Sequence, residues 1–201
     1  MKLNKFEFLV INNPIRNFVQ KHIEFRNLRK LFSMPKNKTV LEIGCGSGYG
    51  TKLIRKYFSP KQIYAIDLDK KMISIAKKSI KDKNTNFSVG NTTQLKFKNN
   101  QFDSVFVFGV IHHVPNWKTA LKEIKRTLKP KGIVVLEELS KETFESGIGK
   151  HSKKHLDHPY EEMFRKDEFI NHLKKLGFKI KTQKSYNPLY LFKYFVVIAE
   201  K

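Results

Sequence analysis

The residues best suited to chemistry in this chain lie in one glycine-rich stretch. Residues 39–50 read TVLEIGCGSGYG, an apolar, β-branched run that contains the acid Glu42 and breaks into glycines before an amphipathic helix. Gly44, Gly46 and Gly48 allow a tight turn from strand to helix, and a backbone without Cβ atoms lets a ligand approach closely. The pattern predicts a loop that binds a nucleotide-type cofactor.

Two common nucleotide-binding loops do not fit this spacing. A dinucleotide loop has the pattern G-x-G-x-x-G, but Tyr49 or Thr51 occupies the position of the third glycine, depending on where the count starts. A P-loop requires Lys-Ser or Lys-Thr after its glycines, and no such pair follows at that spacing. A nicotinamide or flavin dinucleotide and a nucleoside triphosphate are therefore both disfavoured.

A second acid follows where the next parallel strand should end. Residues 63–69 read IYAIDLD, and the apolar part of this run ends at Asp67. An acid in this position of a doubly wound sheet can accept hydrogen bonds from both hydroxyls of a ribose. Asp67 is therefore predicted to bind the ribose of the cofactor.

Three motifs together resemble the class I S-adenosylmethionine-dependent methyltransferases. They are VLEIGCGSG at residues 40–48, IDLD at residues 66–69 and KPKGIVVL at residues 129–136. The resemblance implies a Rossmann-like, doubly wound α/β fold, in which a mostly parallel seven-stranded sheet has one antiparallel strand near the C-terminus and helices on both faces. It also implies S-adenosyl-L-methionine as the cofactor and S-adenosyl-L-homocysteine as the product.

The resemblance also implies which residues contact the cofactor. Leu68 and Met72 would face the adenine, although a Met at helical spacing is more often part of the core. Asn91 stands where the family usually has an acid that receives the adenine amino group, and an amide can accept that hydrogen bond and donate to the ring. The other implied contacts are Glu42, Gly44, Cys45, Gly46, Ser47, Gly48 and Tyr49 near the methionine part, Asp67 at the ribose, Thr92 beside Asn91, and Phe108, Gly109 and Val110 under the sulfonium.

The segment at residues 103–115 bears on the methyl acceptor. It reads DSVFVFGVIHHVP, which has neither a Pro-Pro-aromatic segment that grips a base amine nor a Pro-Cys nucleophile, so a flipped-base mechanism is disfavoured. It is similar to the small-molecule and lipid branch of the family, which includes quinone and phosphatidylethanolamine methyltransferases. His113 or His112 could be a general base, because imidazole titrates near neutral pH. Alternatively, one of them caps the turn and the other packs on the cofactor.

Two further segments are predicted to complete the acceptor pocket. Glu137 and Glu138 end the fifth predicted strand, and only one of them can face the site, where Glu138 is assigned to the acceptor. The insert at residues 139–165 should cap the pocket, with acceptor contacts assigned to His155, His158 and Tyr160. No metal is predicted, because the spacing matches no zinc framework among the candidate ligands of the insert, His151, His155, Asp157 and His158.

An alternating pattern of strands and helices must position these groups, since ligands of an open α/β sheet bind at the carboxyl ends of its strands. Strands are predicted at residues 39–43, 62–67, 86–89, 104–109 and 133–138, with helices at 48–57, 70–80 and 117–128. A helix at 167–176 and strands at 178–185 and 193–200 are predicted to close the sheet. A basic amphipathic helix at 14–32 would cover the site or lie on a membrane.

Length and composition fit one domain. The 201 residues are divided into an N-terminal helical lid at 1–36, a cofactor-binding core at 37–138, the insert at 139–165, and a closing helix and hairpin at 166–201. No apolar run approaches the ~18–20 residues that span a bilayer, and the N-terminus has no secretory pattern. A cytoplasmic protein is expected, with contact at the inner face of the membrane left open. The single Cys45 excludes an intrachain disulfide.

The net charge of +22 indicates a strongly basic surface. The excess is mostly lysine and is dispersed along the chain, without the aromatic interleaving of a surface that binds single strands. Three interpretations stay open: incidental or solubilising charge, contact with an anionic membrane, and contact with nucleic acid.

These features predict a methyltransferase that uses S-adenosylmethionine and moves the methyl group by in-line displacement to a small organic or lipid-like acceptor. One alternative is an RNA or protein methyltransferase that uses the basic surface. The other is a non-catalytic scaffold that binds the cofactor. The sequence alone determines neither the acceptor nor the oligomeric state.

Overall fold

A seven-stranded sheet forms the centre of the computed structural model, which describes residues 13–145, 147–153, 156, 158–187 and 192–201. Its strands are β1 (Thr39–Ile43), β2 (Gln62–Asp67), β3 (Thr85–Val89), β4 (Phe102–Phe108), β5 (Leu128–Leu139), β6 (Lys179–Tyr186) and β7 (Tyr194–Glu200). The order across the sheet is β3-β2-β1-β4-β5-β7-β6. Strand β7 is antiparallel to both of its neighbours and the other pairs are parallel, which confirms the predicted fold.

Helices lie on both faces of this sheet. They are α1 (Pro14–Val19), α2 (Phe25–Leu31), α3 (Tyr49–Phe58), α4 (Lys70–Ser79), α5 (Trp117–Thr127), α6 (Gly147–Ser152) and α7 (Lys166–Lys175). Local signals explain several boundaries: the Asp69 side chain accepts a hydrogen bond from Lys71 N at the start of α4, and Gly177 follows α7 with a φ of +83°. No helix in the described ranges is long and apolar enough to cross a membrane.

The helix predicted at residues 14–32 is not a regular α-helix throughout. A π-helical turn at Gln20–Glu24 separates α1 from α2. The extra residue in this turn directs both Gln20 and Glu24 inward, where they are buried, and apolar periodicity alone does not reveal such a turn. Residues 1–12 of the predicted lid lie outside the described residues.

One strand boundary is corrected, and the insert contains elements for which no prediction was made. Strand β5 begins at Leu128 rather than at residue 133, because Leu128 pairs with Phe102 across an irregular register and Lys131 adopts a φ of +61°. The insert contains regular structure that the glycine pattern did not indicate, namely a 3₁₀ turn at Lys141–Phe144 and helix α6.

The core has two halves, one on each face of the sheet. Helices α5 and α7 contribute Trp117 and Phe169 to one half, whereas α2 and α3 contribute Phe25 and Phe58 to the other. Because side chains alternate along a strand, three acids near strand ends are distributed between the faces. Glu42 and Glu137 lie on the α2 and α3 side with Val40 and Val135, and Glu138 lies on the opposite side with Leu136.

Candidate active site

A cavity of about 630 Å³ lies at the carboxyl ends of β1, β2 and β4. Its wall is formed by the loops after β1 to β4, by α1 and the π-turn, and by the insert. Among the residues that sequence analysis nominated, it is lined by Glu42, Gly44, Cys45, Gly46, Ser47, Tyr49, Asp67, Leu68, Asn91, Thr92, Phe108, Gly109, Val110, His112, His113 and His158.

The glycine loop is held in place by backbone hydrogen bonds to β2. The N–H groups of Gly44 and Cys45 both donate to the carbonyl of Ile66, at 2.8 and 2.9 Å. Gly44 has a φ of +72°, and a Cβ there would collide with the side chain of Val110. Gly46 has a φ of +52° with nothing within 4 Å of a Cβ position, so its backbone faces open space in the cavity.

Asp67 connects the first two loops of the site. Its Oδ2 accepts a hydrogen bond from Gly46 N at 2.9 Å, and its Oδ1 accepts one from Asp69 N at 2.9 Å. Burial raises the pKa of this carboxyl, although both backbone donors favour the charged form. Each carboxylate oxygen has further acceptor capacity, so Asp67 can still receive the hydroxyls of a ribose.

Glu42 lies fully buried at the base of the cavity. Its Oε2 accepts a hydrogen bond from the Thr51 hydroxyl, and its Oε1 occupies the space that a Cβ at Gly50 would fill. Burial raises the pKa of Glu42 to about 8, and the nearby Asp67 adds to the rise. A buried carboxyl without a cationic partner among the described residues suits a ligand that carries an ammonium group.

The adenine end of the site is more exposed. Leu68 has 43% of its surface exposed, while Thr92 is buried. The Asn91 side-chain oxygen accepts two hydrogen bonds from Thr93, one from its N–H at 3.0 Å and one from its hydroxyl at 2.9 Å. Because both lone pairs are then engaged, the predicted acceptor role of Asn91 is restricted and its amide N–H₂ is the group suited to a ring nitrogen.

Some predicted contacts lie away from the cavity wall. Met72 is buried within α4, and Gly48 directs its missing Cβ toward Ile80 and Ala76 on that helix. Tyr160 packs on the Phe144 ring behind His158, at 5.3 Å between centroids. His155 lies outside the described residues, as does Asp157.

Glu138 organises the turn that carries the two adjacent histidines. It is fully buried and accepts hydrogen bonds from the backbone N–H groups of Val110, Ile111 and His112, at 3.1, 2.9 and 3.3 Å. Its carboxylate also lies 2.7 Å from His112 Nδ1. Glu138 is therefore a positioning residue behind His112, whereas sequence analysis placed it against the acceptor.

Three imidazole rings meet at the acceptor end of the cavity. His112 and His113 are adjacent in the 3₁₀ turn Ile111–His113, and His158 approaches from the insert. The ring centroids are 4.2 Å apart for His112 and His113, 4.3 Å for His113 and His158, and 5.2 Å for His112 and His158. Burial and the neighbouring rings lower the pKa of His158 to about 3 and that of His113 well below its usual value, so both rings are neutral at pH 7.

Polar residues of the N-terminal helical segment form the roof of the cavity, and sequence analysis did not nominate them. Arg16, Asn17 and Gln20 all line it. Arg16 also forms a two-point ion pair with the buried Glu24, with both distances at 2.9 Å. The sequence did not predict the contact between Arg16 and Glu24, which are eight residues apart, because the π-turn between them sets their relative positions.

Known proteins with similar sequences are methyltransferases. Residues 41–136 match the family model described as "Methyltransferase domain". A demethylmenaquinone methyltransferase of Geobacillus stearothermophilus is 30% identical over 136 residues, which cover 65% of this chain and 58% of that protein. The chain thus spans a little under 60% of the length of that curated relative.

Solved structures show the same fold. A SAM-dependent methyltransferase from Aquifex aeolicus has a TM-score of 0.76 at 20% identity, with 99% of each chain covered. A chain from a complex of the Haloferax volcanii Trm112 methyltransferase activator with a methyltransferase has a TM-score of 0.78 at 17% identity, with 92% of each covered. The family match supports a methyltransferase domain at residues 41–136, and the solved structures show the same fold. The resemblance found in the sequence is thereby supported, and S-adenosyl-L-methionine is the cofactor that it implies.

Proposed function

We propose that this protein uses S-adenosyl-L-methionine to transfer a methyl group to a small, flat organic or lipid-like acceptor of the quinone type that carries an ionisable hydroxyl. The observation that carries the proposal is that one cavity joins the glycine loop and Asp67 at one end to the three histidines at the other. The acceptor end is also lined by Leu139, Leu156, Phe192 and Tyr194, which suit an apolar ring. The names of the curated relatives point to the same class of acceptor.

The residues of the cavity fit the proposed cofactor. Gly46 leaves open space that a Cβ would narrow, Glu42 offers a carboxyl to the amino group, and Asp67 offers its oxygens to the ribose. When bound, S-adenosyl-L-methionine supplies a methyl group already activated on a sulfonium, so that alignment and proximity provide much of the catalysis. Phe108, Gly109 and Val110 also line the cavity; Val110 packs beside Gly44 and Gly109 lies beside His112, so the methyl group would be transferred near them.

The histidines are suited to handle the acceptor proton. The contact between Glu138 and His112 Nδ1 favours the tautomer with its proton on Nδ1, which leaves Nε2 as a proton acceptor. In this proposal the acceptor hydroxyl would give its proton to His112 Nε2. Its oxygen lone pair would then form the new bond to the methyl carbon as the C–S bond breaks and the sulfur leaves with that electron pair as S-adenosylhomocysteine. His113 and His158, whose pKa values are low, provide a neutral wall beside it.

The first test is calorimetric titration of S-adenosylmethionine and S-adenosylhomocysteine into wild type and Asp67→Asn. A hydrogen bond to a charged group contributes about 1.5–3 kcal/mol, so the variant should bind about 10- to 150-fold more weakly. Asp82→Asn is the matched control, because Asp82 pairs with Arg55 away from the cavity and should bind the cofactor as wild type does. Absence of binding in wild type, or equal binding in Asp67→Asn, would contradict the cofactor site.

The acceptor class is tested with a labelled methyl donor. The panel is a 1,4-naphthohydroquinone with an isoprenoid chain, phosphatidylethanolamine vesicles, and bulk RNA and protein. Label in the hydroquinone alone would support the proposal. Label in RNA or protein would transfer support to the alternative that uses the basic surface, and cofactor binding with no labelled product in any arm would favour the scaffold.

The exposed side of α1 is where we expect the protein to contact a membrane that contains a lipid-like acceptor. Ile15 and Phe18 have 67% and 60% of their surfaces exposed, and the chain around them is basic. We expect this side to contact anionic vesicles, so Ile15→Ser/Phe18→Ser should sediment less with phosphatidylglycerol vesicles than wild type. Val89→Ser, at an exposed apolar residue of β3, is the control. Equal sedimentation of the double variant and wild type would exclude this contact.

A further inference from the structure

His112, His113 and His158 form a cluster of three imidazole rings, whereas the proposed methyl transfer requires at most one of them as a base. Each ring offers one ligand nitrogen, and the three nitrogens lie within 4.8 Å of one another. Two of the residues come from the turn after β4 and the third from the insert, so that segments far apart in the sequence converge here. No metal was predicted from the sequence, because the spacing of the candidate ligands within the insert matches no zinc framework.

Glu138 gives His112 the environment of a metal ligand. A ligating histidine usually donates its other ring N–H to a carboxylate or carbonyl, which fixes the tautomer and the orientation of the ring. The Glu138 carboxylate lies 2.7 Å from His112 Nδ1 and is itself held by three backbone N–H groups. Because Glu138 engages Nδ1, Nε2 is the ring nitrogen of His112 that is left for an ion.

His113 supplies an independent observation. Its Nδ1 is buried and has no hydrogen-bond partner among the described residues. A buried polar atom of this kind normally costs free energy, which a bound ion or water would offset.

We propose that His112, His113 and His158 bind one divalent first-row metal ion, with Zn²⁺ the best match, and leave a fourth position open toward the cavity. Three protein ligands and one open position are typical of catalytic zinc sites. The buried carboxylate of Glu138 lies directly behind the ligands and balances part of the charge of the ion.

Only a small adjustment of the side chains would complete the site. A tetrahedral ion with bonds of about 2.0–2.1 Å places its ligand nitrogens about 3.3–3.4 Å apart. The ligand nitrogens now lie within 4.8 Å of one another, so each pair has to approach by about 1.5 Å at most. Rotation of the His113 and His158 side chains can bring them that much closer.

The role of the ion rests on the proposed function, whereas its binding does not. An acceptor hydroxyl that takes the open position would ionise there: the O–H bond breaks, the electron pair stays on the oxygen bound to the ion, and the proton leaves to solvent. The imidazoles would then act as ligands, and the ion would replace His112 as the group that ionises the acceptor.

The experiment uses the full chain without an affinity tag, treated with chelator and then titrated with Co²⁺ followed by Zn²⁺. We expect one equivalent of Co²⁺ with the visible absorption of a tetrahedral or five-coordinate site, displaced by Zn²⁺. His113→Gln and His158→Gln should each weaken binding at least about 10-fold. His22→Gln, which removes an exposed histidine of the π-turn, should bind as wild type does.

The same protein samples are titrated with S-adenosylmethionine, both to confirm folding and to separate the two proposals. Absence of the absorption band in wild type, or equal Co²⁺ affinity in wild type and both cluster variants, would overturn the metal site even if the cofactor binds. Stoichiometric Co²⁺ binding that depends on the cluster would support the metal site even if the cofactor did not bind, in which case only the proposed function would fail.

Discussion

Cofactor binding should release a proton from Glu42. This carboxyl is fully buried with a pKa of about 8, so it is mostly protonated at neutral pH when the cavity holds no cation. In the proposed complex the ammonium group of S-adenosylmethionine lies against it and favours the carboxylate. Binding therefore has to drive the proton off Glu42.

The size of the effect follows from two titrations of opposite sign. A Glu42 with a pKa of about 8 is about 90% protonated at pH 7 and about half protonated at pH 8. An α-amino group with a pKa of about 8 takes up about 0.1 proton at pH 7 and about 0.5 at pH 8 on becoming an ammonium. The net release should be about one proton at pH 6, about 0.8 at pH 7 and near zero at pH 8.

Isothermal titration calorimetry in buffers of different ionisation enthalpy measures this number directly. The matched variant is Glu42→Gln, which resembles the protonated acid in shape and keeps a hydrogen-bond acceptor for Thr51. It should release no proton at pH 6 or 7 and should take up about 0.5 proton at pH 8, which reverses the sign there. Its affinity should fall by about 10- to 150-fold, because it loses a charge-assisted hydrogen bond worth about 1.5–3 kcal/mol.

One result would refute this reasoning. If wild type and Glu42→Gln exchange the same number of protons at pH 6 and pH 7, then Glu42 does not change its protonation state on binding. Either the carboxyl is already ionised in the free protein or it does not face the amino group.

Two further predictions concern the glycine loop and the roof. Gly44→Ala should lower the free energy of unfolding by about 2–5 kcal/mol, because it combines a positive φ with a collision against Val110. Gly46→Ala should lower it by only about 1–2 kcal/mol, because the added methyl group meets no other atom. That methyl group enters the open cavity, so Gly46→Ala should also weaken cofactor binding. Arg16→Met should lower the free energy of unfolding by about 3–5 kcal/mol, because it leaves the buried carboxylate of Glu24 without its partner. Urea denaturation followed by fluorescence measures the changes in stability, and calorimetric titration measures cofactor binding by Gly46→Ala.

Each of these predictions has its own control. The two glycine variants control for each other. Equal losses of stability in both would mean that Val110 moves away from the new methyl group at Gly44 without lowering the free energy of unfolding. Lys30→Met removes an exposed charge from α2 and should change stability by no more than about 0.5 kcal/mol. If Arg16→Met were as mild as Lys30→Met, the ion pair with Glu24 would not hold the roof in place.

Local pattern alone located most of the cofactor half. The runs that became β1 and β2 were predicted with the observed ends, because β-branched residues buried on both faces of a parallel sheet leave a continuous apolar signal. The loop after β1 and Asp67 followed from the same signal, since ligands of such sheets lie where strands end. Boundaries were less accurate where an irregular register lengthened β5.

The acceptor half depended on contacts that no local pattern records. Sequence alternation showed that Glu137 and Glu138 face opposite ways, but only the turn after β4 decided that Glu138 supports His112. The convergence of His158 with His112 and His113 required the insert to fold back over the sheet.

The sequence by itself therefore predicted the fold and the glycine loop after β1, because these depend on short-range periodicity and on glycines at fixed spacing. Its resemblance to a known family implied the cofactor. The tertiary structure decided which charged groups meet in the interior. The π-turn brings Arg16 to Glu24. The pairing of β4 with β5 brings Glu138 to His112. Burial then set the pKa values of Glu42 and His158, which depend on the whole surroundings of a group and not on its neighbours in the chain.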